Sequence, residues 1–228
     1  YVMVDEVQDY TSAQLAVLAR YFRSAHFMLL GDENQAVVAH TATYGEIRRL
    51  FARAFGSVDE CRLMTSYRSS PEITALFAGL LDADARIEVN SVQPEGMAPA
   101  FVAAASDEAY AQALCEAVRD ARSGGGLAAL VARSKQELKR IERILGEDAP
   151  RVMRGDEPLP ESGMVALEVS LAKGLEFDHV VIPDASSSAY PPDDDIARRR
   201  LYVALSRATR RLTVLSKGPA TPLLSGLA

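Results

Sequence analysis

The stretch "VMVDEVQD", residues 2–9, sets the apolar run Val2 to Val4 directly against Asp5, Glu6, Gln8 and Asp9. A short apolar run that stops at clustered carboxylates reads as a buried strand whose end opens onto a polar loop. In an open parallel sheet, ligands bind beyond that C-terminal end. Asp5 is placed to hold Mg2+, often through water, and Glu6 to orient or deprotonate an attacking water. Gln8 is placed to carry a hydrogen bond from a phosphate region toward another element. Asp5-Glu6 alone is equally compatible with a solvated acidic loop, so the rest of the chain has to decide.

Working outward, "HFMLLGD" (26–32) repeats the device: a strand, a tight Gly31-Asp32 turn, then Gln35, an amide placed to sense a terminal phosphate. Thr11 or Ser12 caps a helix through about Arg20, with Leu15 and Leu18 on its apolar side. Tyr44–Phe55 is helical, with Ile47, Leu50, Phe51 and Phe55 at helical spacing. "CRLMTSYRSSPEI" (61–73) is a strand that breaks at Tyr67-Arg68, and Pro71 fits the first turn of a helix running to about Leu81. Strands over 101–106, 127–132, 164–170, 177–185 and 211–216 then alternate with helices over 107–122, 134–145 (capped by Ser134) and 196–209. A loop rich in Gly, Pro and acid fills the space before residue 164. This alternation predicts an α/β fold built on a parallel sheet. The acidic "SVDE" (57–60) separates two α/β blocks, 1–60 and 61–228.

At 228 residues and 48% hydrophobic, the chain is long enough for one or two compact cores. A net charge of −6 argues against coating nucleic acid by bulk charge, though it leaves room for a local basic groove. Cys61 and Cys115 form no CxxC pattern, so two reduced, buried thiols are expected rather than a disulfide or a zinc site. No apolar run approaches the roughly 18 residues of a membrane span, and no basic-then-apolar leader is seen. A cytoplasmic setting is the expectation. His26, His40 and His179 are isolated, and no metal is assigned to them.

Three later motifs carry further chemistry. Tyr67 offers a flat surface for a purine and Arg68 a cation for phosphate oxygens. "LAKGLEFD" (171–178) reads as a Lys173-Gly174 turn followed by Glu176, a carboxylate suited to a ribose hydroxyl. "RRRLYVALSRAT" (198–209) reads as a helix that carries Arg207 seven residues after Arg200, on the same face. Such an arginine can reach across a cleft toward charge developing on a transferring phosphoryl group. The bland alternative is surface arginines over a Leu201/Val203/Leu205 core face, and for Arg198 and Arg199 it is preferred. "PPDDDIARRR" (191–200) is likewise read as a solvated loop and helix cap.

Taken in order, the motifs resemble those of superfamily 1 helicases of the UvrD/Rep type. "VDEVQD" resembles the Walker B box, "GDENQ" the third motif, "TSYRSSPEI" the fourth, "LAKGLEFDHVV" the fifth and "RRRLYVALSRAT" the sixth. The resemblance implies a RecA-like (P-loop NTPase) fold, with the C-terminal part of a first motor domain over 1–60 and a complete second one over 61–228. It implies ATP and Mg2+ as cofactors. Asp5 would coordinate Mg2+, Glu6 would be the catalytic base and Gln35 the γ-phosphate sensor. Tyr67 would stack near adenine, Arg68 would contact the γ-phosphate, Gly174 and Glu176 would bind the nucleotide, and Arg207 would be the arginine finger.

The sequence also departs from the pattern. No G-x-x-x-x-G-K-[ST] occurs, and "SGGGLAAL" (123–130) has glycines without the Lys, so it reads as a turn. The expectation is a C-terminal portion of a longer motor, its phosphate loop in the missing N-terminal part of the same chain, with no ATP turnover by these residues alone. "QAVVAH" (35–40) supplies no aromatic to stack on DNA, "EVSLAKGLE" lacks the usual upstream His, and Ile196-Ala197 replace acids that commonly precede the sixth motif. The interval 74–170 leaves no room for the large inserted subdomain of UvrD and Rep. "LAKGLEFD" and this short spacing resemble the HelD (DNA helicase IV-like) branch, whose members act on RNA polymerase. DNA, RNA polymerase or both are the implied partners. The rival reading is an inactive RecA-like docking module; a nuclease fusion finds no second acidic cluster near a lysine.

Overall fold

The computed structural model describes residues 1–38, 40–61, 65–66, 68–81, 90–155 and 157–225. The chain divides into two compact units, Tyr1–Leu63 and Met64–Ala228.

In the first unit, β1 (Val2–Val4) pairs in parallel with β2 (Phe27–Leu29), Val2 opposite Phe27 and Val4 opposite Leu29. Two helices cover one face, α1 (Ser12–Tyr21) and α2 (Tyr44–Phe55). Each begins at a capping box, Thr11 with Gln14 and Thr43 with Glu46, in which side chain and backbone satisfy each other's orphan groups. Val4, Val7, Leu15, Ile47 and Phe51 form the core, and the Phe27 ring meets Phe51 and Phe55 at 5.1 Å each. Because strand side chains alternate, the register partners Met3 and Met28 fall on the opposite face, where they are 67% and 53% exposed.

The second unit is larger. A two-stranded parallel ladder of β3 (Thr65–Ser66) and β4 (Asn90–Ser91) flanks α3 (Pro71–Ala78). There follow β5 (Ala100–Ala104), α4 (Asp107–Ser123), β6 (Leu127–Ala132) and α5 (Lys135–Leu145). The chain continues through β7 (Arg151–Val152), β8 (Gly163–Glu168), β9 (Phe177–Ile182), α6 (Asp195–Leu205) and β10 (Ala208–Lys217). Strands β5 to β10 make one six-stranded sheet in the order β5-β10-β9-β6-β8-β7, with every pairing parallel. The central strands read as near-continuous apolar runs because helices cover both faces of such a sheet. Leu130, Val181 and Leu215 pack there with Leu114, Val118, Leu138 and Ile141 of α4 and α5.

Several elements differ from the sequence expectation. The helix expected over 196–209 stops at Leu205, and Ala208 already pairs with Phe177 as the start of β10. Ladder pairing with β9 at Ala208 outweighs helical continuation, so Arg207 does not share a helix face with Arg200. Strand β7 lies inside the stretch expected as loop. Two residues carry no readable alternation; partnership with β8, including Met153 N–H to Ala166 O at 2.8 Å, makes them a strand. The thiols are both free but not both buried: Cys61 is exposed and Cys115 is half-buried against the core. "PPDDDIARRR" does cap a helix, since Asp194 accepts the N–H groups of Ile196 and Ala197 at 2.9 and 3.0 Å.

Candidate functional site

At the C-terminal end of β1 the backbone turns sharply. Asp5 is exposed, and its Oδ1 accepts the Glu6 N–H at 2.8 Å. Glu6 sits at φ 49°, ψ 44°, a left-handed conformation sparsely used by residues with a side chain beyond Cβ. The turn drives Val7 and Gln8 inward, and Val7 N–H donates to Leu30 O at 2.9 Å, tying this loop to the end of β2. Gln8 is 2% exposed. Its Nε2 donates to Glu6 Oε2, and its Oε1 accepts the Asp32 N–H at 3.1 Å. Asp32 in turn accepts Gln35 Nε2 at 2.9 Å on one oxygen and the Asn34 N–H at 2.9 Å on the other. A Cβ at Gly31 would land on Gln8 Oε1, so a larger residue in the turn into Asp32 would displace that amide. Asp5, Glu6 and Gln35 are therefore gathered at the ends of β1 and β2, linked through Gln8 and Asp32.

One member of this group is absent from the sequence reading. The Tyr44 phenol is pushed well above its ordinary value, first by burial and then by the carboxylates of Asp32, Glu33, Glu6 and Glu60. It stays a protonated donor beside four acids. The available signal was the Thr43–Glu46 capping box, which fixes Tyr44 in the first turn of α2.

In the second unit the relevant residues meet at the N-terminal end of strands β9 and β10. Arg68 Nε lies 2.7 Å from Glu176 Oε1, both side chains about half exposed. The segment carrying Arg68 is fixed by its neighbours: Ser69 Oγ donates to Ala208 O at 2.6 Å and Ser70 N–H to Thr209 O at 3.1 Å. Phe177 N–H donates to Arg207 O at 3.0 Å, which brings Glu176 and Arg207 alongside. Gly174 takes φ 73° in the turn before them, a left-handed value that suits glycine. Tyr67 lies outside the described residues.

Residues 163–215 match the UvrD-like helicase C-terminal domain. The matched segment holds β8, the Lys173-Gly174 turn, Glu176, β9, α6 and Arg207. A "Probable DNA helicase" of Mycoplasma pneumoniae (strain M129) is 27% identical over 237 residues, covering 95% of this chain. The chain spans only 43% of that relative's length. The C-terminal domain of a "possible DNA helicase" from Lactobacillus plantarum WCFS1 is 26% identical and matches in structure with a TM-score of 0.57, over 72% of this chain and 94% of that one. The second unit is thus the α/β parallel sheet that the alternation of strands and helices predicts, and it is consistent with the RecA-like helicase C-terminal domain that the motif resemblance implies.

Within the matched segment, Arg207 takes a pose the sequence does not predict. It is 2% exposed, and its guanidinium is folded back onto its own unit rather than outward. Nε donates to Val203 O at 3.2 Å, Nη1 to Leu175 O at 3.5 Å and Nη2 to Ser206 Oγ at 3.1 Å. Ser206 Oγ itself donates to Val203 O at 3.0 Å. Sequence reasoning had no signal for this, because the inward pose depends on where α6 ends.

The donor set at the first-unit loop suits Mg2+ and not a caged metal. Among the described residues no group of three His, Cys, Asp or Glu side chains converges on a metal position. Mg2+ keeps several waters and is held by one or two carboxylates together with substrate phosphates, and the exposed Asp5 carboxylate is of the type that could serve in such a site. His179 is a core residue, 3% exposed, with Nε2 2.9 Å from Thr213 Oγ1. Among the described residues no helix is long and apolar enough to cross a membrane.

Proposed function

We propose that the chain is the C-terminal motor portion of an ATP-dependent superfamily 1 helicase or translocase, working on nucleic acid in the cytoplasm. The observation that carries the reading is the gathering of Arg68, Glu176 and Arg207, distant in sequence, where β9 and β10 begin. Residues 1–60 are then the C-terminal part of a first RecA-like domain and 61–228 the second. The exposed Met3/Met28 face supports this, since a parallel sheet is normally covered on both faces.

On this reading ATP, with Mg2+, supplies the phosphoryl group whose transfer to water drives the motor. Asp5 holds the ion, Glu6 takes the proton of the attacking water and Gln35 senses the terminal phosphate. Tyr67, Gly174 and Glu176 hold adenine and ribose. Arg68 and Arg207 bring positive charge to the phosphates, and to do so Arg207 must let go of Val203 and Leu175. The phosphate loop belongs to another part of the longer protein, so these 228 residues alone hydrolyse no ATP.

The test is the ATPase of the full-length protein with single-stranded DNA. Glu6→Gln and Arg207→Ala should each lower kcat by about 100-fold or more. Turnover insensitive to both substitutions would favour the rival reading, an inactive docking platform on RNA polymerase or repair proteins.

One observation favours a HelD-like subclass acting on RNA polymerase. The described residues between 74 and 170 are taken up by the strands and helices of the second unit itself, with no inserted subdomain among them. Greater stimulation of the ATPase by RNA polymerase than by DNA is the expected result, and the reverse would rule the subclass out.

A further inference from the structure

The left-handed turn at Glu6 leaves its side chain outside any regular element, so strand geometry does not aim the carboxylate. Something else must. We propose that Gln8 is the positioning residue for Glu6, locking its carboxylate to the end of β2. This rests on the reading of Glu6 as the catalytic base.

The chemistry of the amide makes the arrangement directional. The Asp32 backbone N–H can only donate, so it must face the oxygen end of Gln8. The NH2 end is thereby turned to Glu6, whose Oε2 accepts its N–H. Reversing the amide would break both bonds. Burial enforces this: Gln8 is 2% exposed, so its amide has no solvent to turn to. Gly31 closes the seat, because a Cβ there would strike Gln8 Oε1 and stand 3.0 Å from Val7 Cγ1. The link continues from Asp32 Oδ2 to Gln35 Nε2 at 2.9 Å. Glu6 and Gln35, the base and the phosphate sensor of the proposed motor, are thus held by one hydrogen-bonded chain whose only fully buried member is Gln8.

Three substitutions separate this role from simple packing. Gln8→Leu fills the volume and removes both bonds. Gln8→Glu keeps an acceptor for Asp32 N–H, removes the donor to Glu6 and sets a like charge beside it. Gly31→Ala leaves Gln8 in place but displaces its amide. In the full-length protein each should lower kcat about 10- to 100-fold while KM for ATP changes less than about threefold, because a positioning interaction acts on the transition state. In a Glu6→Gln background, Gln8→Leu should cause no further loss, since the two residues act as a unit.

Unchanged kcat in the Gln8 variants overturns the proposal. So do losses that multiply in the double mutant, or a KM that rises in step with the loss of kcat. If Glu6→Gln lowers turnover while the Gln8 variants leave kcat unchanged, only the positioning role fails. If Glu6→Gln has no effect, the motor reading fails and the positioning role falls with it.

Discussion

Replacing Arg207 with alanine is expected to destabilise the second unit before any effect on catalysis is considered. An arginine waiting in solvent could be removed at a cost within about 0.5 kcal/mol. Arg207 instead buries its guanidinium against Val203 O, Leu175 O and Ser206 Oγ. Hydrogen bonds from a charged donor contribute about 1.5–3 kcal/mol each. The bond to Leu175, at 3.5 Å, is at the limit of useful geometry and counts for little. Removing the side chain also relieves the cost of burying a cation, which offsets part of the loss. The net expectation is about 2–3 kcal/mol, or a fall in Tm of about 4–12 °C for a domain of this size. Arg207→Lys keeps the charge but cannot span three acceptors, so its Tm should fall between the two. Thermal unfolding of the 228-residue chain, followed by circular dichroism with calorimetry as a check, measures this directly. A Tm for Arg207→Ala within about 1 °C of wild type would refute the inward pose. The outcome also governs how activity is read, because loss of turnover in this variant must be corrected for loss of folded protein.

Three further outcomes follow from the same structure. Arg68→Ala should leave Tm nearly unchanged, since its half-exposed pair with Glu176 is screened by solvent and contributes at most about 1 kcal/mol; a large fall would show that the pair holds the fold rather than awaiting a ligand. Leu130→Ala, at a fully buried position in the middle of β6, should cost about 2–5 kcal/mol and lower the urea midpoint without changing the slope; a loss below about 1 kcal/mol would mean that β6 is not central to the core. Burial, and next the Arg211 guanidinium, hold the His179 imidazole below its ordinary value of about 6.5. The unfolded chain therefore binds the proton first, so this contribution to stability is full above about pH 6.5 and is lost as pH falls toward the depressed folded value. His179→Gln should flatten the decline in Tm between pH 7 and pH 5; an unchanged decline would assign it to other groups.

The elements most legible in sequence are those whose signals are local. Thr43 followed by Glu46 announces the start of α2, and the spacing of Ile47, Phe51 and Phe55 carries it to its end. "LAALVA" is the buried strand β6 residue for residue, and Ser134 caps α5 as expected. The acidic end of β1 was legible for the same reason: a change from apolar to carboxylate along a few residues is visible without partners. Strand β7 was not legible, because two residues become a strand only by pairing with β8. The end of α6 was missed because the choice between another helical turn and a ladder bond is settled by β9, thirty residues upstream. Cys61 was expected inside on composition alone, yet it lies exposed beside the boundary between the two units.

By itself, the sequence determined the alternation of elements, the caps and the order of the chemical motifs, since each depends on residues within a turn or two of one another. Tertiary structure alone decided which of those motifs meet. Parallel strands bring distant segments side by side, and it is this pairing that sets Arg68 beside Glu176, ties Gln8 to Asp32 and brings Arg207 to Leu175. Spacing along the chain carries no record of those contacts, because hydrogen bonds between remote segments form only once the sheet has closed.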